Sequence, residues 1–347
     1  VNRTEVTREG LSGARPDREA DLWTSGSRPE AAADPGTRGR GDARRGPADA
    51  PAGERAAASY YGEPIINPPV WEEREIAGYL FTGGLAGGSS LVSAAALLSG
   101  RPRLAQRSGV CASAAISVSL AALIKDLGRP ERFINMLRVV KPTSPMNMGT
   151  WILSAYTPLA LTSAASVTTG RAPRLGRTAA VGAGALGPLV ATYTAALIAD
   201  TAVPVWHEGR RELPFLFAGS AASAAAGFAL AASPRSESEP ARLLAVAGAA
   251  VELIAEGLLE RRLGALALAE PMHTGVAGSR LIRAKLLTVA GLGAAATVGR
   301  GRAGAVASGG ALLAGSALTR FGLFAAGMTS AKDPRFTVDP QRARLGR

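Results

Sequence analysis

Eight stretches of this chain are almost free of charged side chains and rich in Leu, Ala, Val and Gly, and Pro, Gly and Arg punctuate the gaps between them. The first, Ile76 to Gly100, contains no Asp, Glu, Lys, Arg or His. At about 1.5 Å per helical residue it is long enough to cross ~30 Å of hydrocarbon. The pattern predicts helical spans at about 76–98, 107–124, 149–169, 178–199, 214–232, 241–260, 284–299 and 303–326. The seventh is the weakest, because its charge-free part, Leu286 to Gly299, is short and interrupted by glycine; a re-entrant or interfacial piece is the other reading. The expected fold class is all-α, a polytopic membrane helix bundle of about eight transmembrane helices. An even number of spans places both termini on one side, together with the connections after the second, fourth and sixth spans.

Small residues within the runs predict close helix packing, since lipid offers no competing hydrophobic force and backbones associate by approaching each other. The stretch "GGLAGG", Gly83 to Gly88, holds two overlapping G-x-x-x-G spacings. It fits helix packing, and it also fits close approach of a bound ring.

Composition then divides the chain. Residues 1–59 contain ten arginines matched by ten acids and almost no large apolar residues. Such a segment buries too little surface to offset its ordering entropy and is expected to be a disordered tail rich in Arg, Pro, Gly and Ala. Its pair Arg44-Arg45 lacks the following apolar segment that a twin-arginine signal requires. The predicted organisation is this tail, a transmembrane bundle over 60–331, and a basic C-terminal tail over 332–347. The net charge of +12 belongs to residues 60–347 and is scattered between the apolar runs. Without a gathered basic face or aromatic platforms, no nucleic-acid partner is expected. Cys111 is the only cysteine, so the chain has no thiolate set for an iron-sulfur cluster or structural zinc. His207 and His273 both fall in connections, and no haem is expected.

Cations on the terminal side are read as Lys125, Arg129, Arg132, Arg138 and Lys141 in one connection and Arg261, Arg262, Arg280, Arg283 and Lys285 in another, with Arg320, Lys332 and Arg335 near the end. The opposite side holds Arg101, Arg103, Arg107, Arg171, Arg174, Arg177, Arg235, Arg242, Arg300 and Arg302. The excess favours cytoplasmic termini in the cell inner membrane.

Ionisable groups at membrane depth are costly and so mark candidate chemistry. Glu252, Glu256 and Glu260 follow at i, i+4 and i+8, which aligns three carboxylates on one helical face. Glu252 and Glu256 are proton-path candidates, with pairing to arginines of neighbouring helices as the alternative. Asp126 closes the second run with Arg129 three residues on, a spacing that pairs carboxylate and guanidinium across one turn. Asp200 closes the fourth run, and Tyr193 lies two turns before it, its phenol available to a buried acceptor.

Three long stretches carry a resemblance: "INPPVWEEREIAGYLFTGGLAGGSS" from Ile66, "DLGRPERFINMLRVVKPTSPMNMGTW" from Asp126 and "LIADTAVPVWHEGRRELPFLF" from Leu197, followed by "AGMTSAKDPRFTVDPQR" near the end. In this order they resemble the NrfD/polysulfide reductase membrane-subunit family over about residues 60–340. The resemblance implies a haem-free membrane subunit without its own iron-sulfur cluster. It would exchange electrons between membrane quinone, menaquinone or ubiquinone, and a four-cluster iron-sulfur subunit, usually alongside a molybdopterin catalytic subunit. Membrane lipid is its other partner. By matching position it also implies a quinone site built from Trp71, Glu75, Ser144, Met146, Asn147 and Trp151, with Asp126, Arg129 and Tyr193 in catalytic roles. Where the family often has an aromatic or apolar residue in "VWEWEI", this chain has Arg74 in "VWEEREI", a cation at the mouth of the implied pocket. The residues alone leave two alternatives open: an ion-coupled transporter that uses Glu252 and Glu256, favoured by broken helices in two matching halves, and a simple membrane anchor of a redox complex. No internal repeat is apparent in the sequence.

Overall fold

The computed structural model describes residues 5–7, 10–12, 65–127, 131–297 and 301–345. The chain divides into two units, Val1–Asp49 and Ala50–Arg347. In the first, the described residues form two short strands, β1 (Glu5–Thr7) and β2 (Gly10–Ser12), paired antiparallel with Val6 opposite Leu11. The rest of the expected tail lies outside the described residues.

The second unit is all-α. Among the described residues eight long helices run in order: α1 (Glu73–Leu98), α2 (Pro102–Asp126), α4 (Pro145–Thr169), α5 (Pro173–Ala199), α7 (Leu213–Ala232), α8 (Glu239–Ala265), α10 (Gly275–Thr297) and α11 (Arg302–Lys332). Short helices α3 (Glu131–Met136), α6 (Pro204–Glu208) and α9 (Glu270–His273) sit in the connections, and α12 (Arg335–Leu345) occupies the segment read as a C-terminal tail. Proline stands at the first or second position of α2, α4, α5, α7 and α8, where its missing N–H has no helical partner to lose. Gly100 and Gly170, both at positive φ, end the turns that follow α1 and α4.

Five of these helices, α1, α2, α5, α7 and α11, are long and apolar enough to cross a membrane. The chain is a multi-pass membrane helix bundle. The seventh run, for which a re-entrant piece is the other sequence reading, lies in a continuous helix of 23 residues.

The packing order repeats. In the first half α1 packs on α2 and α5, α5 on α4, and α2 on α4; in the second α7 packs on α8 and α11, α11 on α10, and α8 on α10. The halves join where α1 meets α7 and α11 and where α5 meets α7. This matching of halves, invisible in the sequence, resides in backbone placement alone. Glycine makes it possible. A Cβ at Gly87 would collide with the Gly187 backbone and one at Gly187 with the Gly87 backbone, so α1 and α5 cross main chain on main chain. Gly227 and Gly309 do the same for α7 and α11. The "GGLAGG" run is therefore used for packing: Gly88 faces the Ala221 backbone of α7, and Gly84 faces Ala221 and the Arg320 side chain.

Several cations sit elsewhere than their apolar surroundings suggested. Arg261 and Arg262 belong to α8, and Arg280, Arg283 and Lys285 to α10, rather than to a connection. Arg320, read as near the end of the chain on the terminal side, lies within α11 and is 1% exposed. The physical reason is partnership. Arg262 reaches Glu212 at 3.6 Å, Lys285 reaches Glu260 at 2.6 Å, and Arg280 pairs with Glu73, so none of these cations has to end its helix.

Candidate functional site

The candidate residues gather at the end of the bundle that holds the starts of α1, α4 and α7 and the ends of α2, α5 and α8, here called the terminal end. Glu75 lies in the first turn of α1 and forms an ion pair with Lys125 at the end of α2. Beside them Asp126, half-buried, accepts the Glu72 backbone N–H and feels the carboxylates of Glu72 and Glu75. Three acids and one lysine therefore share one rim. Arg129, the expected partner of Asp126, lies outside the described residues. Arg74 is exposed, and its charge acts on Lys125 of this cluster.

One helical turn beyond Glu75, Gly78 meets no neighbouring atom where a side chain would stand. Residues three and four apart share a helix face, so this open space lies on the face that carries Glu75 and Thr82. Next along α1, the Tyr79 hydroxyl bonds the Tyr193 hydroxyl of α5, with the rings edge to face at 6.5 Å. Gly149 of α4 has no Cβ, which leaves room for the Tyr193 ring.

Trp71 stacks on the fully buried Trp206, ring centroids 5.9 Å apart, and Trp206 packs on Phe324 and donates to the Leu323 carbonyl at 2.9 Å. Its indole thus belongs to an aromatic plug at the bundle end.

Ser144 caps α4, its hydroxyl accepting the Asn147 N–H at 3.4 Å. The Asn147 amide is fully used: Oδ1 accepts the Lys141 N–H at 2.7 Å, and Nδ2 donates to the carbonyls of Met136 at 2.7 Å and Val139 at 2.9 Å. Trp151 donates to the same Val139 carbonyl at 3.3 Å. These residues brace the connection over residues 136–141. Met146 is 42% exposed. The braced connection presents Ile134, Val139 and Val140 to solvent among exposed Arg138 and Lys141.

A second cluster lies within the other half. Glu252, about 20 Å from either end of α8, is 1% exposed and accepts from Thr319 Oγ1 at 2.9 Å. Ser220 and Ser223 border it, and the Arg320 charge acts on it. Arg320 donates to the Phe217 carbonyl at 2.8 Å and lies over the Phe217 ring at 3.6 Å. Among the described residues, Glu252 Oε2 and Arg320 Nε and Nη1 have no hydrogen-bond partner. One turn nearer the terminal end, buried Glu256 faces Lys285 Nζ at 3.6 Å, and Lys285 also holds Glu260 at 2.6 Å. Glu256 and Glu260 are thus paired with Lys285 of α10, while Glu252 feels the charge of Arg320 on α11 without an ion-pair contact.

The model of the family described as polysulphide reductase, NrfD matches residues 65–329. The chain belongs to the NrfD family. Members of the NrfD family are membrane subunits of polysulphide and related reductases and normally partner iron-sulfur and molybdopterin subunits. No curated protein sequence matches the chain.

Within this NrfD bundle, sequence reasoning missed Tyr79, Gly78, Trp206, Lys285 and the burial of Arg320. Tyr79 carried a signal, since it is a phenol in a run without charge that faces the run containing Tyr193. Gly78 carried none, because an isolated glycine in a glycine-rich helix does not reveal which face is empty.

Proposed function

We propose that this chain is the quinone-interacting membrane subunit of an iron-sulfur/molybdopterin oxidoreductase, exchanging electrons between menaquinone or ubiquinone and an iron-sulfur subunit docked on the terminal end. The observation that supports it best is the rim cluster of Asp126, Glu75 and Lys125, with the open space at Gly78 and the buried Tyr79–Tyr193 hydroxyl pair about one helical turn further into the bundle. A redox ring needs room to approach, a hydrogen-bond donor to its oxygens and a proton-exchanging group, and Gly78, the tyrosine pair and Asp126 offer these in turn. The quinone brings two-electron, two-proton chemistry. The chain's part is to hold the ring and move protons. Asp126 exchanges a proton with water across the rim, Lys125 balances the charge of the acidic cluster, and the Tyr79–Tyr193 pair donates a hydrogen bond. Arg129 would join Asp126 in this role.

The docking face is the braced connection, whose exposed Ile134, Val139 and Val140 offer apolar area ringed by Arg138 and Lys141 for an acidic partner. Glu260, Lys285, Glu256 and Glu252 form a charged track from the terminal end to the bundle midpoint, fit to carry protons along part of the membrane. With that end facing the cytoplasm, in the inner membrane, the track would open to the cytoplasm. The transporter alternative draws on the matching halves but needs broken helices, and the long helices described are continuous.

The test is quinol-linked turnover of the assembled complex. Asp126→Asn is expected to lose roughly a hundredfold or more, the usual worth of a positioned acid-base group. Gly78→Leu is expected to raise the quinone KM and leave assembly intact, since no atom stands in its way. Unchanged turnover in both variants would favour a simple anchor.

A further inference from the structure

The two ends of the bundle treat their cations differently. All seven ion-pair contacts among the described residues lie in the terminal half. At the opposite end, Arg101, Arg103, Arg171, Arg174 and Arg177 have no acidic partner among the described residues. An acid at that end, Glu237, is engaged by the Leu104 backbone N–H at 2.8 Å.

Two of these arginines, Arg174 and Arg177, line a cleft of about 490 Å³ between the turn joining α1 to α2 and the turn joining α4 to α5, and the other three are sequence neighbours of residues that line it. Leu97, Ala105, Val167 and Ala180 give it apolar walls, and Arg174 and Arg177 line its mouth. Arg101 and Arg103 flank Pro102, another wall residue, and Arg171 follows Gly170, which also lines it. These helix ends stand at headgroup depth if α1, α2 and α5 cross the bilayer. Unpaired guanidiniums repel one another, and their planar forks match phosphate oxygens two at a time. The cleft lacks an aromatic platform for a planar ring, and its apolar walls suit an alkyl chain entering below the charged mouth.

We propose that this cleft seats an anionic phospholipid, with its phosphate on Arg174 and Arg177 and the start of an acyl chain along Leu97 and Val167. Arg101, Arg103 and Arg171 supply the surrounding positive field. The site is independent of the quinone reading, being built from the other ends of the helices. It assigns a lipid-binding role to charges that no ion pair explains.

The experiment follows thermal unfolding of the full chain in detergent micelles titrated with phosphatidylglycerol, phosphatidylcholine or inorganic phosphate. Phosphatidylglycerol should raise the unfolding temperature and the other two should not. Each basic residue near an anionic surface contributes enough that losing two weakens half-saturation on the order of thirtyfold, the shift expected for Arg174→Gln/Arg177→Gln. Val167→Trp keeps both arginines and fills the cleft; it should weaken the response too, and it decides the matter if the double variant misfolds. Equal stabilisation by phosphatidylcholine, an equal effect of inorganic phosphate, or an undiminished phosphatidylglycerol response in Val167→Trp would each overturn the proposal.

Discussion

Arg320→Met tests how the bundle tolerates a charge at its centre. The wild-type guanidinium is 1% exposed and held by one carbonyl, one ring face and the field of Glu252. Methionine conserves much of the volume and the contact with Phe217, so the change removes charge more than packing. It leaves the Glu252 carboxylate equally buried, with the Thr319 hydroxyl at 2.9 Å and no cation acting on it from α11. Breaking a buried charge pair from one side costs about 3–5 kcal/mol, because the remaining charge is uncompensated. Glu252→Gln strands the guanidinium and should cost a similar amount. The double variant removes both charges and should fall within roughly 1–2 kcal/mol of wild type, since neutral replacement of a buried pair is often nearly free. The assay is equilibrium unfolding in mixed micelles followed by tryptophan fluorescence, with Trp206 buried in the core as a reporter. A double variant as unstable as the two single losses added together would refute the reasoning, because the two charges would then not depend on each other.

Other expectations follow from single contacts. Gly187→Leu forces a side chain into the Gly87 backbone and should destabilise the bundle by about 1–3 kcal/mol or more, measured by the same unfolding assay. Asn147→Ala removes three hydrogen bonds worth about 1 kcal/mol each, so the segment over residues 136–141 should become more sensitive to protease while α4 stays folded. At the start of α12, hydrogen bonds from Arg335 hold the Asp333 carboxyl below its ordinary range. A depressed value means the stabilisation is present above about pH 4, the unfolded carboxyl's range, and is lost as pH falls through the lower folded value. Protection of the Phe336 to Val338 amides, taken relative to the unstructured rate at each pH, should therefore fall on acidification below pH ~4, and Asp333→Asn should abolish that dependence.

Much of the architecture could be read because lipid makes backbone demands uniform: a run without charge must be helical, and its length must match the bilayer. The eight runs, their order and the terminal location of Trp71, Glu75, Asp126 and Asn147 all come from that rule. What it could not give is partnership across helices. Glu252 meets Thr319 across 67 positions, and Arg320 is tolerated in mid-helix because α7 and α8 bring a carbonyl, a ring and an acid to it. A lone cation in an oily run looks, in one dimension, like the edge of a span. Asn147 shows the converse: the resemblance implies a ligand contact for it, yet its amide is consumed by backbone groups of a connection with no pattern of its own. Helices α4, α8 and α10 lie outside the five that meet the apolarity needed for a span; α8 and α10 carry ionised residues that are satisfied by one another.

The crossing of Gly87 on Gly187 has a mechanical consequence for the tyrosine pair. Tyr79 lies eight residues along α1 from that crossing and Tyr193 six along α5, lever arms of about 12 and 9 Å. A pivot of about 5° at the fulcrum would move the Tyr79 end by about 1 Å, a displacement that can cost on the order of a hundredfold where reacting groups must be held in line. Two hydrogens in place of side chains, deep in the membrane, thus set the aim of groups about two turns away.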